Sequence, residues 1–119
     1  MPDELLASVK RRDRLAIIQF HGDVTAFAED AARDAYWEAV RDGGRNVALD
    51  FSTCEYINSA GIAVIIGLVT EARRQDRRVL AFGLSSHYQK IFRMVGLAGY
   101  MELCASEEEA VQRTKPQVA

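Results

Sequence analysis

The sequence lacks most of what braces a small secreted domain. Its two cysteines, Cys54 and Cys104, are too few for a disulfide framework or a four-ligand zinc site. They read as reduced, buried, small hydrophobes of a cytoplasmic protein. The two prolines, Pro2 and Pro116, stand at the ends, and nothing between them looks like a linker. No apolar run reaches the ~18 residues of a membrane span, so no membrane insertion is expected. The opening MPDELLASVKRRD has charge on both sides of a very short apolar stretch, unlike a signal peptide. Neither sign of charge dominates: 15 Lys and Arg face 17 Asp and Glu, for a net charge of −2. A dedicated nucleic-acid binder carries a basic excess, so direct nucleic-acid binding is not expected. What is present is ordinary for one globular domain: 119 residues, 49% apolar and 27% charged. We read residues 5–113 as one continuous fold and 114–119 as a loose tail.

The pattern along the chain alternates strand and helix. Leu5 to Lys10 alternates weakly, Arg11 to Asp13 makes a polar turn, and Leu15 to Phe20 is rich in β-formers; together they predict an antiparallel hairpin. From Thr25, a candidate N-cap, the period becomes helical. Phe27, Ala28, Ala31, Ala32, Ala35, Tyr36, Ala39 and Val40 form the apolar stripe, and Gly43-Gly44 stops it. Strands follow at Asn46–Phe51, Val79–Phe82 and Tyr100–Cys104. Helices are predicted from Ser59 to about Gln75, from Ser86 to Val95, and from Ser106, whose spacing to Glu109 is that of a capping box. The order β-β-α-β-α-β-α-β-α predicts an α/β layered domain with a mostly parallel sheet and an antiparallel hairpin at its N-terminal edge.

Most chemistry is absent. There is no GxxxxGK[ST], no GxGxxG and no GxSxG. His21 and His87 have no carboxylate or cysteine at ligand spacing, so no metal, cofactor or catalytic residue is assigned, and the chain does not read as an enzyme. Arg73, Arg74, Arg77 and Arg78 sit at a helix C-terminus, where they complement its dipole. What stands out is Ile57-Asn58-Ser59-Ala60-Gly61-Ile62, a small polar cluster between a strand and an apolar helix. Sites gather at the carboxyl ends of parallel strands, and Ser59 would sit where helix amides favour an anion. It reads equally well as an ordinary N-cap. The helix has Ile62, Ile65, Ile66, Val69 and Ala72 as its expected core stripe, with Val64 and Leu68 off it. A helix apolar nearly all round is either deeply buried or a docking face. Gly67, mid-helix, costs about 1 kcal/mol relative to alanine and permits close approach of a partner or of a neighbouring helix.

Gly22-Asp23-Val24-Thr25, Val47 to Phe51, Ile57 to Ile62 and Val79 to Ser85 together resemble the STAS domain of bacterial anti-sigma factor antagonists. The resemblance covers about residues 8 to 113. It implies a STAS-like layered fold with a mixed, mostly parallel sheet and about four helices. It also implies a partner switch in the cytoplasm: the antagonist binds an anti-sigma factor with a GHKL-type serine kinase domain, is phosphorylated at the position of Ser59, and is restored by a serine phosphatase. The family's docking surface maps onto Asp23, Thr25, Asn58, Ser59, Ala60, Gly61, Val64, Leu68, Leu84, Ser85 and Ser86. The family's usual Asp-Ser-Ser-Gly-Leu is Asn58-Ser59-Ala60-Gly61-Ile62 here, and the aspartate of its Gly-Glu-Leu-Asp segment is Thr25. A STAS subunit of a membrane transporter ATPase, or a STAS scaffold independent of phosphorylation, is the alternative. A monomer or a weak homodimer is expected, the latter through edge-to-edge pairing of the first strand.

Overall fold

The computed structural model describes residues 6–116. Leu5 of the expected first strand and the last three residues of the expected tail lie outside the described residues. β1 (Leu6–Arg12) and β2 (Leu15–His21) pair antiparallel around the two-residue turn Asp13-Arg14. Asp13 takes a φ of 54°, the left-handed conformation that so short a hairpin requires and an Asp tolerates. Arg11 and Arg12, expected in the turn, are strand residues instead, and Arg12 reaches across to Glu107 and Glu108.

A 3₁₀ turn (Ala26–Ala28) leads into α1 (Glu29–Val40). Thr25 caps that turn, accepting from the Phe27 amide at 3.3 Å. The turn takes Phe27 off the helical stripe, so this expected core residue is 92% exposed. β3 (Asn46–Thr53), α2 (Ser59–Arg74), β4 (Arg78–Phe82), α3 (Ser86–Met94), a second 3₁₀ turn (Leu97–Gly99), β5 (Glu102–Leu103) and α4 (Glu107–Thr114) follow. β5 is shorter than expected, because Tyr100 still belongs to the turn before it. Ser106 accepts from the Glu109 amide at 3.1 Å, while Glu109 reaches back to the Ala105 amide, one residue short of a full capping box. Thr114, expected to open the tail, is the last residue of α4 and is buried, donating to the carbonyls of Ala110 and Val111.

The strand order is β1-β2-β3-β4-β5, antiparallel at the first pair and parallel thereafter. Side chains alternate between the two faces of the sheet, as strand geometry demands. Ile18, Phe20, Val47, Leu49, Phe51, Val79 and Ala81 face α1, α2 and α3. Leu15, Ile17, Ala48, Leu80 and Phe82 face α4 through Ala110 and Val111. Phe20 stacks on Phe51 with centroids 5.1 Å apart, Phe51 meets Phe92 edge to face at 5.8 Å, and the series ties β2, β3 and α3 together.

Two assignments on α2 are corrected. Leu68, expected off the core stripe, is buried, and Ile66, expected on it, is 40% exposed. The buried face of α2 runs through Gly61, Ile65, Leu68, Val69 and Ala72, because the helix packs against α1 as well as the sheet.

The arginines at the end of α2 and just after it are largely spent on structure. Arg74 pairs with Glu71, Arg77 bonds the Gly44 carbonyl, and Arg78 grips Glu102 with two nitrogens. The Arg78 guanidinium holds the Glu102 carboxyl below the usual carboxylate range. A carboxyl whose folded value is depressed stabilises the fold above its unfolded value, near 4.3, and loses that contribution as pH falls through the folded one. Because the pair is largely exposed, we expect Arg78→Ala to cost at most about 1 kcal/mol at pH 7. The urea midpoints of variant and wild type should converge as the pH is lowered through 4; a gap that persists at low pH would assign the loss to packing.

Candidate functional site

Because β2, β3 and β4 are parallel, their carboxyl ends open on one edge of the sheet, where an α/β fold places its sites. Three loops meet there. The loop after β2 and the loop after β3 are sewn together by backbone bonds. The Val24 amide donates to the Tyr56 carbonyl at 2.9 Å, and the Asn58 amide donates to the Val24 carbonyl at 3.2 Å. Val24 and Ile57 form an isolated parallel bridge. The third loop, after β4, starts with Gly83 at a φ of 86°, packed so closely on Ser52 that no side chain would fit. Ser85 then caps α3, and the Tyr88 hydroxyl accepts from the Ile57 amide at 2.9 Å.

Gly61 secures the seam. A Cβ there would lie 1.9 Å from the Val24 carbonyl oxygen, so only glycine lets the first turn of α2 press onto the neighbouring loop. Asn58, not Ser59, is the N-cap of α2: its backbone is extended and its Oδ1 accepts from the Gly61 amide at 2.8 Å. The capping role, one of the two readings of Ser59 from sequence, is therefore filled by its neighbour. Ser59 is the first residue of the helix and is exposed. It sits among amides that have no intrahelical acceptor, at the positive end of a 16-residue helix.

The expected site residues divide by exposure. Ser85 and Ser86 are exposed alongside Ser59; Asp23, Thr25, Asn58, Ala60, Val64 and Leu84 are half-buried. Gly61 and Leu68 are buried, although Leu68 still contributes to a groove. That groove, about 590 Å³, runs between α1 and α2 from Ala60 along Ala63, Val64 and Gly67, with Trp37 opposite. Its charged lining is paired within the chain, Arg33 with Glu29 and Glu71 with Arg74. An added Cβ on Gly67 would meet nothing within 4 Å, so this glycine serves no packing inside the chain. Burial pushes the Cys54 thiol up from its ordinary value, so it is no thiolate nucleophile at neutral pH.

Sequence reasoning missed three residues here. Phe27 stands out from the turn beside Thr25, and Trp37 is 46% exposed at the groove. Tyr88 ties α3 to the serine loop. Phe27 precedes the regular helix, so the stripe that claimed it had not yet begun; a cap at Thr25 was the available signal.

The two glycines of α2 give opposite expectations. Gly61→Ala should destabilise by about 1–3 kcal/mol, because the carbonyl it meets is held by the seam. Gly67→Ala should stabilise by about 1 kcal/mol through helix propensity alone. Urea denaturation of both variants checks this, and a Gly61→Ala variant as stable as wild type would refute the seam.

Comparison with known proteins agrees with this architecture. The anti-sigma-B factor antagonist of Listeria monocytogenes is 26% identical over 102 residues, which are 85% of this chain and 90% of that protein. The crystal structure of an anti-sigma factor antagonist from Mycobacterium paratuberculosis superposes with a TM-score of 0.82 at 16% identity, covering 98% of both chains. The Bacillus cell fate determinant SpoIIAA in its phosphorylated form superposes with a TM-score of 0.70 at 22% identity, covering 92% of this chain and 99% of that one. These superpositions show the shared fold. The STAS domain model matches residues 7–110, nearly the whole fold described above, and the chain belongs to the STAS domain family.

Proposed function

We propose that this protein is an anti-sigma factor antagonist that docks through the carboxyl edge of its sheet and is switched off by phosphorylation of Ser59. The observation that carries the reading is the placement of Ser59. It is an exposed hydroxyl at the first turn of α2, flanked by the groove and by the loops after β2 and β4. The curated relative is named an anti-sigma-B factor antagonist, and a Bacillus protein of this fold has been solved phosphorylated.

The partner is an anti-sigma factor with a GHKL-type serine kinase domain. It transfers the γ-phosphoryl group of ATP to Ser59 Oγ, releasing ADP and the hydroxyl proton. A serine phosphatase hydrolyses the ester. The phosphate adds about −1.5 to −2 charges at pH 7. Helix amides and the dipole accommodate that charge, so the fold persists. The docking face changes instead: a strongly hydrated dianion stands beside a groove whose charges are paired and among loops whose mapped residues carry one carboxylate, Asp23, and covering it is costly. Asp23, Thr25, Asn58, Ala60, Leu84, Ser85 and Ser86 rim the contact, Val64 and Leu68 line its groove, and Gly61 sets its shape. Phe27 and Trp37 join this surface, as exposed aromatic anchors of the kind that dominate interfaces.

Affinity capture from a native lysate with Ser59→Ala as bait tests the reading, with intact-mass analysis of the wild type beside it. Recovery of an ATPase of the GHKL type, and one phosphate on wild-type Ser59, is the expected result. Ser59→Asp should weaken partner binding while Ser59→Ala retains it. Equal binding by wild type, Asp and Ala variants would end the switch hypothesis, and recovery of a transporter ATPase would replace it. Gly67→Ala, stabilising by itself, should weaken docking, because its methyl group projects into the groove.

A further inference from the structure

We propose that copies of this chain associate head to tail, the acidic flank of α1 on one copy seating against the basic, apolar tip of α3 on the next. The two flanks are chemically complementary and stand apart on the helical layer. α1 lies over β1 and β2; α2 lies beside it and over β4; α3 and the turn after it lie beyond.

The α3 flank is unusual for exposed surface. Met94, Val95 and Tyr100 are 78%, 49% and 58% exposed, close together around the turn at Gly96, while Leu97 anchors the turn in the core. Lys90 and Arg93 stand exposed on the same helix, and Arg73 from the end of α2 lies over the Tyr100 ring, 5.8 Å from its centroid. Among the described residues these three cations form no ion pair, whereas Arg74 and Arg78 beside them are paired with Glu71 and Glu102. The α1 flank is the reverse. Asp30, Asp34 and Trp37 follow one another at one-turn spacing on its outer ridge. The Asp30 side chain is 95% exposed and makes one long ion pair, 3.9 Å, with Arg33 of the same helix, while Asp34 forms no ion pair among the described residues.

The occupant is a second copy, and not an anionic lipid surface, for a reason of charge. The whole chain carries −2, which opposes approach to an anionic membrane, whereas a second copy brings two exposed carboxylates, Asp34 without an ion pair among the described residues and Asp30 only loosely held by Arg33, around an exposed indole to the three cations. The flanks are different surfaces, so the contact is heterologous and repeats from copy to copy; it does not stop at a two-fold dimer. Exposed ion pairs are weak and screened, so association is salt-sensitive.

Trp37 is the single tryptophan of the chain, which makes its emission a local reporter of the contact. In sedimentation equilibrium at low salt, the average mass should rise with concentration past that of a dimer. Trp37 emission should shift to the blue in step, and added salt should reverse both. K90E/R93E and D30K/D34K should each weaken association about tenfold or more with unchanged thermal midpoints, and an equimolar mixture of the two should restore it. A wild type that stays monomeric at millimolar concentration overturns the proposal. A mass that stops at dimer with Trp37 emission unchanged also overturns it and points to pairing through β1. So does a monomer that binds phosphatidylserine vesicles through Lys90 and Arg93 without self-associating.

Discussion

The Val24 carbonyl is the point on which the site depends. It accepts the Asn58 amide, and it occupies the space where any side chain at position 61 would have to go. That one oxygen therefore fixes the end of the β2 loop, the start of α2 and the identity of a residue on its first turn. Its bonds are backbone bonds, so substitutions elsewhere on the surface leave the frame intact. The Tyr88 hydroxyl extends the frame to a third element by satisfying the Ile57 amide, and the Phe20–Phe51–Phe92 series supports it from beneath.

A rigid frame determines what kind of switch this edge can host. Ser59 stands outside the seam, with its side chain free and its backbone held on both sides. Charge added there has little structure to disturb, and a helix N-terminus tolerates an anion well. The energetic consequence is displaced onto whatever docks, which must desolvate the new charge. A modification that acts on affinity and leaves the fold alone needs this combination: a positive local field, an exposed acceptor hydroxyl and neighbours that cannot relax.

The architecture was legible because hydrophobic period and punctuation agree along most of the chain. Every strand and helix was foreseen to within a few residues, and Gly43, Gly83 and Gly96 mark ends that the structure keeps with positive φ. The two misreadings on α2 share one cause. The outer face of a helix is set by its neighbours, which a periodic pattern cannot specify. α2 meets both the sheet and α1, so Leu68 turns inward and Ile66 outward. Phe27 precedes the regular helix by way of a 3₁₀ turn and escapes the stripe. Gly61 and Gly67 look alike in sequence. One is required by a carbonyl 1.9 Å from its missing Cβ, while the other has open space and lowers helix stability without intramolecular return.

The departures from the family pattern now acquire a physical reading. Asn and Asp serve equally well as N-caps, and Asn58 keeps the bond to the Gly61 amide that a carboxylate would make. What the amide forgoes is the charge–dipole attraction, worth about 0.3–1 kcal/mol at a helix N-terminus. Thr25 likewise keeps a cap, on the 3₁₀ turn, without a charge. Both substitutions therefore preserve the geometry of the edge while removing anions from it. The N-terminus of α2 is left with its dipole less compensated, so a phosphoryl group on Ser59 would meet less repulsion from its surroundings. On the proposed switch, the phosphate would then be the dominant anion of an edge where, of the mapped residues, Asp23 alone carries a charge.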